Sequence, residues 1–257
     1  KLVKHDVMNS QSKEQHVETR ESKNVPDVTF RTRTDDGWKD ITSSDIFAGK
    51  TVIVFSLPGA FTPTCSATHL PRYEELAPQF AAEGVDDIIC MSVNDGFIMY
   101  AWEKEQALNH VRLIPDGNGE FTEQMGMLVD KSDLGFGKRS WRYSMLVKDG
   151  VVSKMFIEPE VDGDPFEVSD AETMLRYINK DATIPECVAV ISRPGCPHCQ
   201  RAKDILATRN ISYNEIVLGK DIEQPALRAL AGSTTVPQIF IGGKLIGGAD
   251  DLELLSA

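Results

Sequence analysis

Pro58-Gly-Ala-Phe-Thr62-Pro-Thr-Cys65 separates two segments of different periodicity. Before it runs Thr51-Val-Ile-Val-Phe55, a β-branched apolar stretch that reads as a buried strand. After it, Leu70, Tyr73, Leu76 and Phe80 recur at helical spacing. Cys65 therefore falls where a strand turns into a helix, in or just before the first helical turn. Unpaired backbone N–H groups gather at such a turn, and the helix dipole favours negative charge there. That setting favours a thiolate over a thiol. Pro58 and Pro63 fix φ and remove donors, which stiffens the loop over the sulfur. Thr62, three residues before Cys65, offers a hydroxyl to the thiolate or to an incoming oxygen. A lone cysteine is more often a packed structural residue. Here the strand–loop–helix setting favours a nucleophile.

A chain of 257 residues suits two α/β domains of unequal size. The net charge of −12 argues against nucleic acid as the main partner. That acidity is uneven: residues 186–257 carry 7 Lys/Arg and 8 Asp/Glu, leaving 20 against 31 in residues 1–185. Five cysteines, an odd number, argue against a disulfide framework and for a reducing, cytoplasmic setting. No apolar run approaches the roughly 18 residues of a membrane span. Residues 1–23 lack a signal-peptide core and carry little apolar content, so they read as a flexible tail.

Along the chain, the turn at Asp36-Gly37 predicts a hairpin, and Ser43 to Ala48 a short helix stopped by Gly49. Asp87–Val93 and Arg112–Pro115 read as strands around a helix over Gly96–Leu108. Residues 130–140 read as a glycine-containing loop, followed by a hairpin of Trp141–Val147 and Val151–Ile157 turning at Asp149-Gly150. Residues 158–168 form an acidic loop, and Ser169-Asp-Ala-Glu172 a capping box that opens a helix. Strands alternating with helices give an α/β layered core. The first domain then spans residues 24–180, a short linker residues 181–185, and a second domain residues 186–257.

The second domain restarts with the strand Cys187–Ile191, then Arg193-Pro-Gly-Cys196-Pro-His-Cys199 and a helix. A Cys-x-x-Cys at a strand-to-helix turn is the signature of a thioredoxin-like redox site. Cys196, at the exposed helix N-terminus, is the expected nucleophile, with Arg193 placed to stabilise its thiolate. Zinc needs about four ligands, and Cys187 and His198 alone are nearby in sequence, so no metal site is expected. Arg142, on an otherwise apolar strand, is costly unless paired. Cys90 reads as structural, Cys187 as a packed strand residue, and His5, His16, His69 and His110 show no metal spacing.

The spacing Pro-x-x-x-Thr-x-x-Cys, and the fuller string PGAFTPTCSATHLP, resembles the active-site loop of peroxiredoxins, specifically the peroxiredoxin-5 subfamily. Residues 186–257 resemble glutaredoxin, through Cys196-Pro-His-Cys199, Thr234-Thr-Val236-Pro237 and Gly247-Gly248-Ala249-Asp250-Asp251. Together the two parts resemble the bacterial hybrid peroxiredoxin–glutaredoxin proteins. The resemblance implies two thioredoxin-fold α/β domains, an N-terminal peroxiredoxin and a smaller C-terminal glutaredoxin. It places Pro58, Thr62, Cys65 and Arg142 around the peroxide, with Cys196 and Cys199 as the second catalytic pair. Val236, with Pro237 in a cis peptide, would meet the glutathione backbone, and Gly248, Ala249 and Asp250 its γ-glutamyl end. Two departures stand out: His198 replaces a common tyrosine, and Ser233 stands where several relatives carry a basic residue. The second suits a thiol lacking the free glycine carboxylate, such as glutathione amide.

The resemblance implies a peroxidase cycle in which Cys65 forms a sulfenic acid and glutathione, or glutathione amide, condenses with it. Cys196 then takes the glutathionyl group. No bound cofactor is implied; the thiol is a co-substrate. Members of this family assemble through the peroxidase domain, so a homodimer or homotetramer is expected. Two other classes compete: a redox sensor that hands a disulfide to a partner, and a protein-disulfide reductase with low peroxide turnover.

Overall fold

The apolar run before the Pro58–Cys65 loop becomes the central strand of a five-stranded sheet in the computed structural model, which describes residues 17–161, 163–209 and 211–255. The chain divides into two units between Ala182 and Thr183. In the first, β1 (Thr29–Thr34) and β2 (Gly37–Thr42) form a hairpin, and α1 (Ser43–Phe47) leads to β3 (Thr51–Ser56). A π-helical turn (Cys65–His69) runs into α2 (Leu70–Glu75) and α3 (Ala77–Ala82). Next come β4 (Asp87–Ser92), α4 (Gly96–Gln106), β5 (Val111–Pro115) and α5 (Glu120–Gln124). The short strands β6 (Leu128–Asp130) and β7 (Lys138–Ser140) precede β8 (Tyr143–Lys148), β9 (Val151–Ile157) and α6 (Ala171–Ile178).

The main sheet runs β5-β4-β3-β8-β9. β3 pairs parallel with β4 and antiparallel with β8. Both of its faces are covered, which is why β3 reads as an unbroken apolar run. Val52 and Val54 pack with Phe30, Phe47 and Phe121 on one side. On the other, Phe55 stacks on Tyr73 at 4.2 Å, and Tyr73 lies 5.9 Å from Phe80. Phe55 is wholly buried, an anchor of about 1.5–3 kcal/mol that fixes the strand end under the cysteine loop.

Three local expectations need correction. Residues 1–16 of the expected tail lie outside the described residues, but residues 17–23 are docked. Ser22 N–H donates to Val152 O at 2.8 Å, Val152 N–H to Lys23 O at 3.0 Å, and Glu21 pairs with Lys154 at 2.9 Å. Main-chain bonds and the Glu21 carboxylate carry much of this docking, with Val17 as its one apolar contact with the core among residues 17–23, so it leaves no apolar periodicity in the sequence. The loop at 130–140 contains a hairpin, β6 with β7, around a 3₁₀ turn at Ser132–Leu134. The cap of α6 is Asp170, whose carboxylate accepts from Thr173 N–H at 2.9 Å, while the Ser169 hydroxyl is spent on Glu158.

The second unit repeats the plan in fewer residues. It comprises β10 (Val188–Ser192), α7 (Pro197–Thr208), β11 (Asn214–Val217), α8 (Gln224–Ala231), β12 (Gln238–Ile241), β13 (Lys244–Gly247) and α9 (Ala249–Leu254). Its sheet runs β11-β10-β12-β13, with β10 parallel to β11 and antiparallel to β12. Val188 and Val190 pack with Ala202, Leu206 and Leu252, and Ile191 with Leu218 and Leu227, so helices again cover both faces. Cys187 corrects its expectation: it stands just before β10 and is exposed.

Candidate active site

The loop after β3 is held from within and by one neighbour. Phe61 takes a left-handed φ of +62°, a conformation that costs about 1–3 kcal/mol in a bulky residue. Offsetting bonds flank it: Ala60 N–H donates to Asn94 Oδ1 at 3.0 Å, and the Thr62 hydroxyl to Gly59 O at 2.9 Å. Thr62 thus braces the loop in this state; of the two partners the sequence suggested, the thiolate and an incoming oxygen, it does not bond the sulfur. Pro58 sits two residues past the end of β3. Leu70 N–H reaches back to Cys65 O, the five-residue span of a π-turn. Pro71 follows, and a proline lacks the N–H and crowds the carbonyl that a regular α-turn would offer it. The turn places Cys65 and His69, both wholly buried, beside one another.

Arg142 comes from the residue preceding β8 and is 1% exposed. Its Nη2 donates to Cys65 Sγ at 3.5 Å and to Asp164 at 2.5 and 2.6 Å. Nη1 lies 2.9 Å from His69 Nδ1, and the guanidinium stands over the Phe166 ring at 5.5 Å. Burial works against the charge of Arg142, but the Cys65 sulfur and the Asp164 carboxylate outweigh it and hold its pKa above the ordinary value. His69 goes the other way: burial, then the neighbouring Arg142 charge, push it down to about 3. It is neutral at physiological pH. Cys90, in the β4 core, has its thiol pushed well up by burial and by the Cys65 sulfur, so it is no nucleophile.

The acidic loop after β9 frames this cluster. Glu158, 1% exposed, accepts four hydrogen bonds from it: the N–H groups of Glu167, Val168 and Ser169, and the Ser169 hydroxyl. Ser169 O in turn receives the Tyr73 hydroxyl at 3.0 Å and lies 3.1 Å from His69 Nε2. Sequence reading missed His69, Glu158, Asp164 and Ser169. Asp164 meets Arg142 across 22 residues, and His69 meets Arg142 across 73 and Ser169 across 100. Glu158 acts through a loop 9 to 11 residues on that has no periodicity to mark it. One local signal existed: His69 follows Cys65 by four residues, one helical turn.

In the second unit Cys196 caps α7 and is half-buried. Its Sγ accepts from Cys199 N–H at 3.1 Å and lies 3.8 Å from Val236 O. The Val236–Pro237 peptide is cis. Cys199 is 1% exposed, and burial, then the bond with Cys196, push its thiol up to about 11. The exposed Arg193 makes no hydrogen bond to the Cys196 sulfur among the described residues; it shares a hollow with Cys196, Cys199 and Lys203. Val236, Pro237, Gly248, Ala249 and Asp250 line a separate groove with His198, Arg201 and Ser233. Asp250 is paired there with Arg201, and Gly248 N–H donates to Asp251 at 2.7 Å. Ser233 Oγ accepts from Thr235 N–H at 3.2 Å and Gln238 Nε2 at 3.3 Å, so Ser233 itself gives this corner of the groove a polar, uncharged side chain. Among the described residues, no three His, Cys, Asp or Glu gather as a metal site would need.

The redoxin family model matches residues 20–175 and the glutaredoxin model residues 188–246. The hybrid peroxiredoxin hyPrx5 of Haemophilus influenzae is 62% identical over 233 residues, covering 91% of this chain and 97% of that protein. The peroxiredoxin sll1621 of Synechocystis is 59% identical over 174 residues, 63% of this chain and 92% of its own. Reduced Prx3 of Vibrio vulnificus, solved in complex with hydrogen peroxide, superposes with a TM-score of 0.59 at 40% identity, over 63% of this chain and 99% of that one.

Proposed function

This chain belongs to the hybrid peroxiredoxins, a redoxin-family thiol peroxidase joined to a glutaredoxin, and from that premise we propose that its reductant is glutathione or a close analogue such as glutathione amide. The peroxide is hydrogen peroxide or a small alkyl hydroperoxide. The observation that carries the reading is the buried Cys65 sulfur set 3.5 Å from Arg142 Nη2. A wholly buried nucleophile suits a substrate of two or a few heavy atoms, and a guanidinium stabilises the charge that develops as an O–O bond breaks. The Vibrio relative's complex with hydrogen peroxide supports the same substrate.

In the cycle, the Cys65 thiolate attacks one peroxide oxygen, forming S–O and breaking O–O. Sulfur gives up two electrons, and the departing hydroxide or alkoxide takes a proton to leave as water or alcohol. Glutathione then displaces water from the sulfenic acid and leaves a Cys65–glutathione disulfide. Cys196 attacks the glutathione sulfur, releasing Cys65 as a thiol. A second glutathione regenerates Cys196 and leaves as glutathione disulfide. Joining both domains on one chain raises their mutual effective concentration. The working protein is a dimer or tetramer in the cytoplasm, in keeping with its cysteine usage; no helix among the described residues is long and apolar enough to cross a membrane.

The test is glutathione-dependent consumption of hydrogen peroxide by the wild type, Cys65→Ser and Cys196→Ser. Loss in both variants is the expected result. Full turnover in Cys196→Ser would remove the glutaredoxin as reductant and leave the peroxidase domain to an external thiol.

A further inference from the structure

We propose that His69 is a positioning residue for the peroxide step: its imidazole, fixed by the Ser169 carbonyl, holds the Arg142 guanidinium against Cys65, and Glu158 fixes the loop that supplies that carbonyl. The inference rests on the peroxidase reading and is independent of which thiol closes the cycle.

Tautomer and orientation follow from the partners. A carbonyl oxygen only accepts, so His69 Nε2, 3.1 Å from Ser169 O, carries the proton. Nδ1 is then a bare lone pair, and Arg142 Nη1 donates into it at 2.9 Å. The ring has little freedom to turn, because Phe55 and Phe166 each stand 4.8 Å from it. Ser169 O is equally fixed. Its own N–H and hydroxyl both end on Glu158, and the Tyr73 hydroxyl donates to the same carbonyl. A buried carboxylate taking four donors from one loop acts as a template for that loop.

A neutral acceptor is the informative choice. A buried carboxylate in the place of His69 would cancel much of the Arg142 charge beside the sulfur. An imidazole orients the guanidinium and leaves its charge to act on Cys65 and on the peroxide. Asp164 does carry a negative charge to Arg142, but its side chain is 41% exposed, so water screens it. Arg142 Nε has no partner among the described residues, so the side chain's orientation rests on its two terminal nitrogens.

The experiment measures formation of the Cys65 sulfenic acid in single-turnover stopped flow with hydrogen peroxide, without glutathione, on the full chain. His69→Leu should slow it about 10²-fold, the scale of a misplaced catalytic group. His69→Gln, whose amide offers one acceptor and one donor, should recover at least about tenfold of that. Glu158→Gln should slow the step about tenfold through the loop. Transfer of glutathione from a small mixed disulfide by Cys196 should not change in any of them. In the wild type, imidazole ¹⁵N NMR should show His69 protonated at Nε2 and bare at Nδ1 from pH 7.5 to 5. Oxidation of His69→Leu at the wild-type rate, no rescue by glutamine, or an Nδ1–H or imidazolium signal in that range would each overturn the proposal. Because the NMR arm uses the wild type, a variant that folds poorly leaves the inference open to refutation.

Discussion

In the N-terminal unit Cys65 lies wholly buried under its turn, whereas in the C-terminal unit Cys196 caps its helix half-exposed. The sheets that present them are laid out alike. Each cysteine follows a central strand, β3 or β10, flanked by a parallel neighbour on one side and an antiparallel one on the other. The difference begins with the residue immediately before that antiparallel neighbour. Before β8 it is Arg142, whose guanidinium reaches the sulfur; before β12 it is Pro237, behind the Val236 carbonyl. The fold fixes where a sulfur sits, and one position opposite it decides whether the sulfur meets a cation or an open backbone. A cation in a dry site suits a small peroxide; an open backbone suits a peptide thiol.

The largest effect should come from removing that cation. Arg142→Leu should slow oxidation of Cys65 about 10²–10³-fold, the cost of losing a donor aimed at developing charge. Glutathionyl transfer by Cys196 should stay within twofold, because the partners of Arg142 named above, Cys65, His69, Asp164 and Phe166, all belong to the N-terminal unit. Stopped-flow oxidation and a small mixed-disulfide assay separate the two. A parallel collapse in both assays would break the comparison, since it would mean that the two centres are not independent.

Acid should separate the units next. His69 is held down to about 3 by burial and by Arg142, whereas in the unfolded chain it takes up a proton near 6.5. The unfolded state therefore binds the extra proton first. Stability from this group is fully present above about pH 6.5 and is lost as pH falls toward 3. Thermal unfolding of the N-terminal unit should move to lower temperature between pH 7 and 4.5, and the slope should shrink in His69→Gln. Equal slopes in both proteins would show that other groups control the acid limb.

Much of this contrast was legible in the sequence, and the reason is locality. The strand–loop–helix around Cys65 is written in one unbroken stretch, residues 51–80, and the Cys196–Cys199 pair and the Asp36–Gly37 and Asp149–Gly150 turns within a few consecutive residues each. Arg142 was legible through the family resemblance, supported by the cost of an unpaired charge among apolar neighbours. The strand expected over residues 141–147 nevertheless begins at Tyr143 and leaves Arg142 just before it. His69, Glu158, Asp164 and Ser169 were not, because each matters through a partner fixed by tertiary packing. His69 is 73 residues from Arg142 and 100 from Ser169. The spacing of Thr62 offers its hydroxyl to the thiolate or to an incoming oxygen, yet spacing does not tell which acceptor a hydroxyl chooses; in this state it is Gly59 O. Residues 17–23 looked like a tail because main-chain pairing with β9 needs no apolar side chains.

A smaller effect tests the thiol groove. Its rim carries Ser233 in hydrogen bonds to Thr235 and Gln238, and Arg201, which also lines the groove, is paired with Asp250. Introducing one by Ser233→Lys should lower KM for glutathione about two- to fivefold, the scale of an exposed ion pair. Glutathione amide, lacking the carboxylate charge, should gain nothing. An equal gain with both thiols would detach this position from the glycine end of the substrate.

The smallest effect should be at the second cysteine of the Cys196–Cys199 pair. Cys199 is buried and pushed up to about 11, so near neutral pH it is a thiol and a poor nucleophile. Cys199→Ser should therefore keep glutathione-dependent turnover within twofold of wild type at pH 7.5, where Cys196→Ser has none. Alkali brings Cys199 into play: its thiolate attacking the Cys196–glutathione disulfide, to close Cys196–Cys199 and expel glutathione, should accelerate from pH 8 to 10 as the thiolate fraction grows. The folded thiol keeps its proton up to about 11 while an unfolded one loses it near 8.5. The same rise in pH thus costs the C-terminal unit stability, a loss that Cys199→Ser should abolish. Turnover that collapses in Cys199→Ser at pH 7.5 would make the C-terminal centre a dithiol machine and sharpen its contrast with Cys65, whose neighbour Cys90 is a buried thiol.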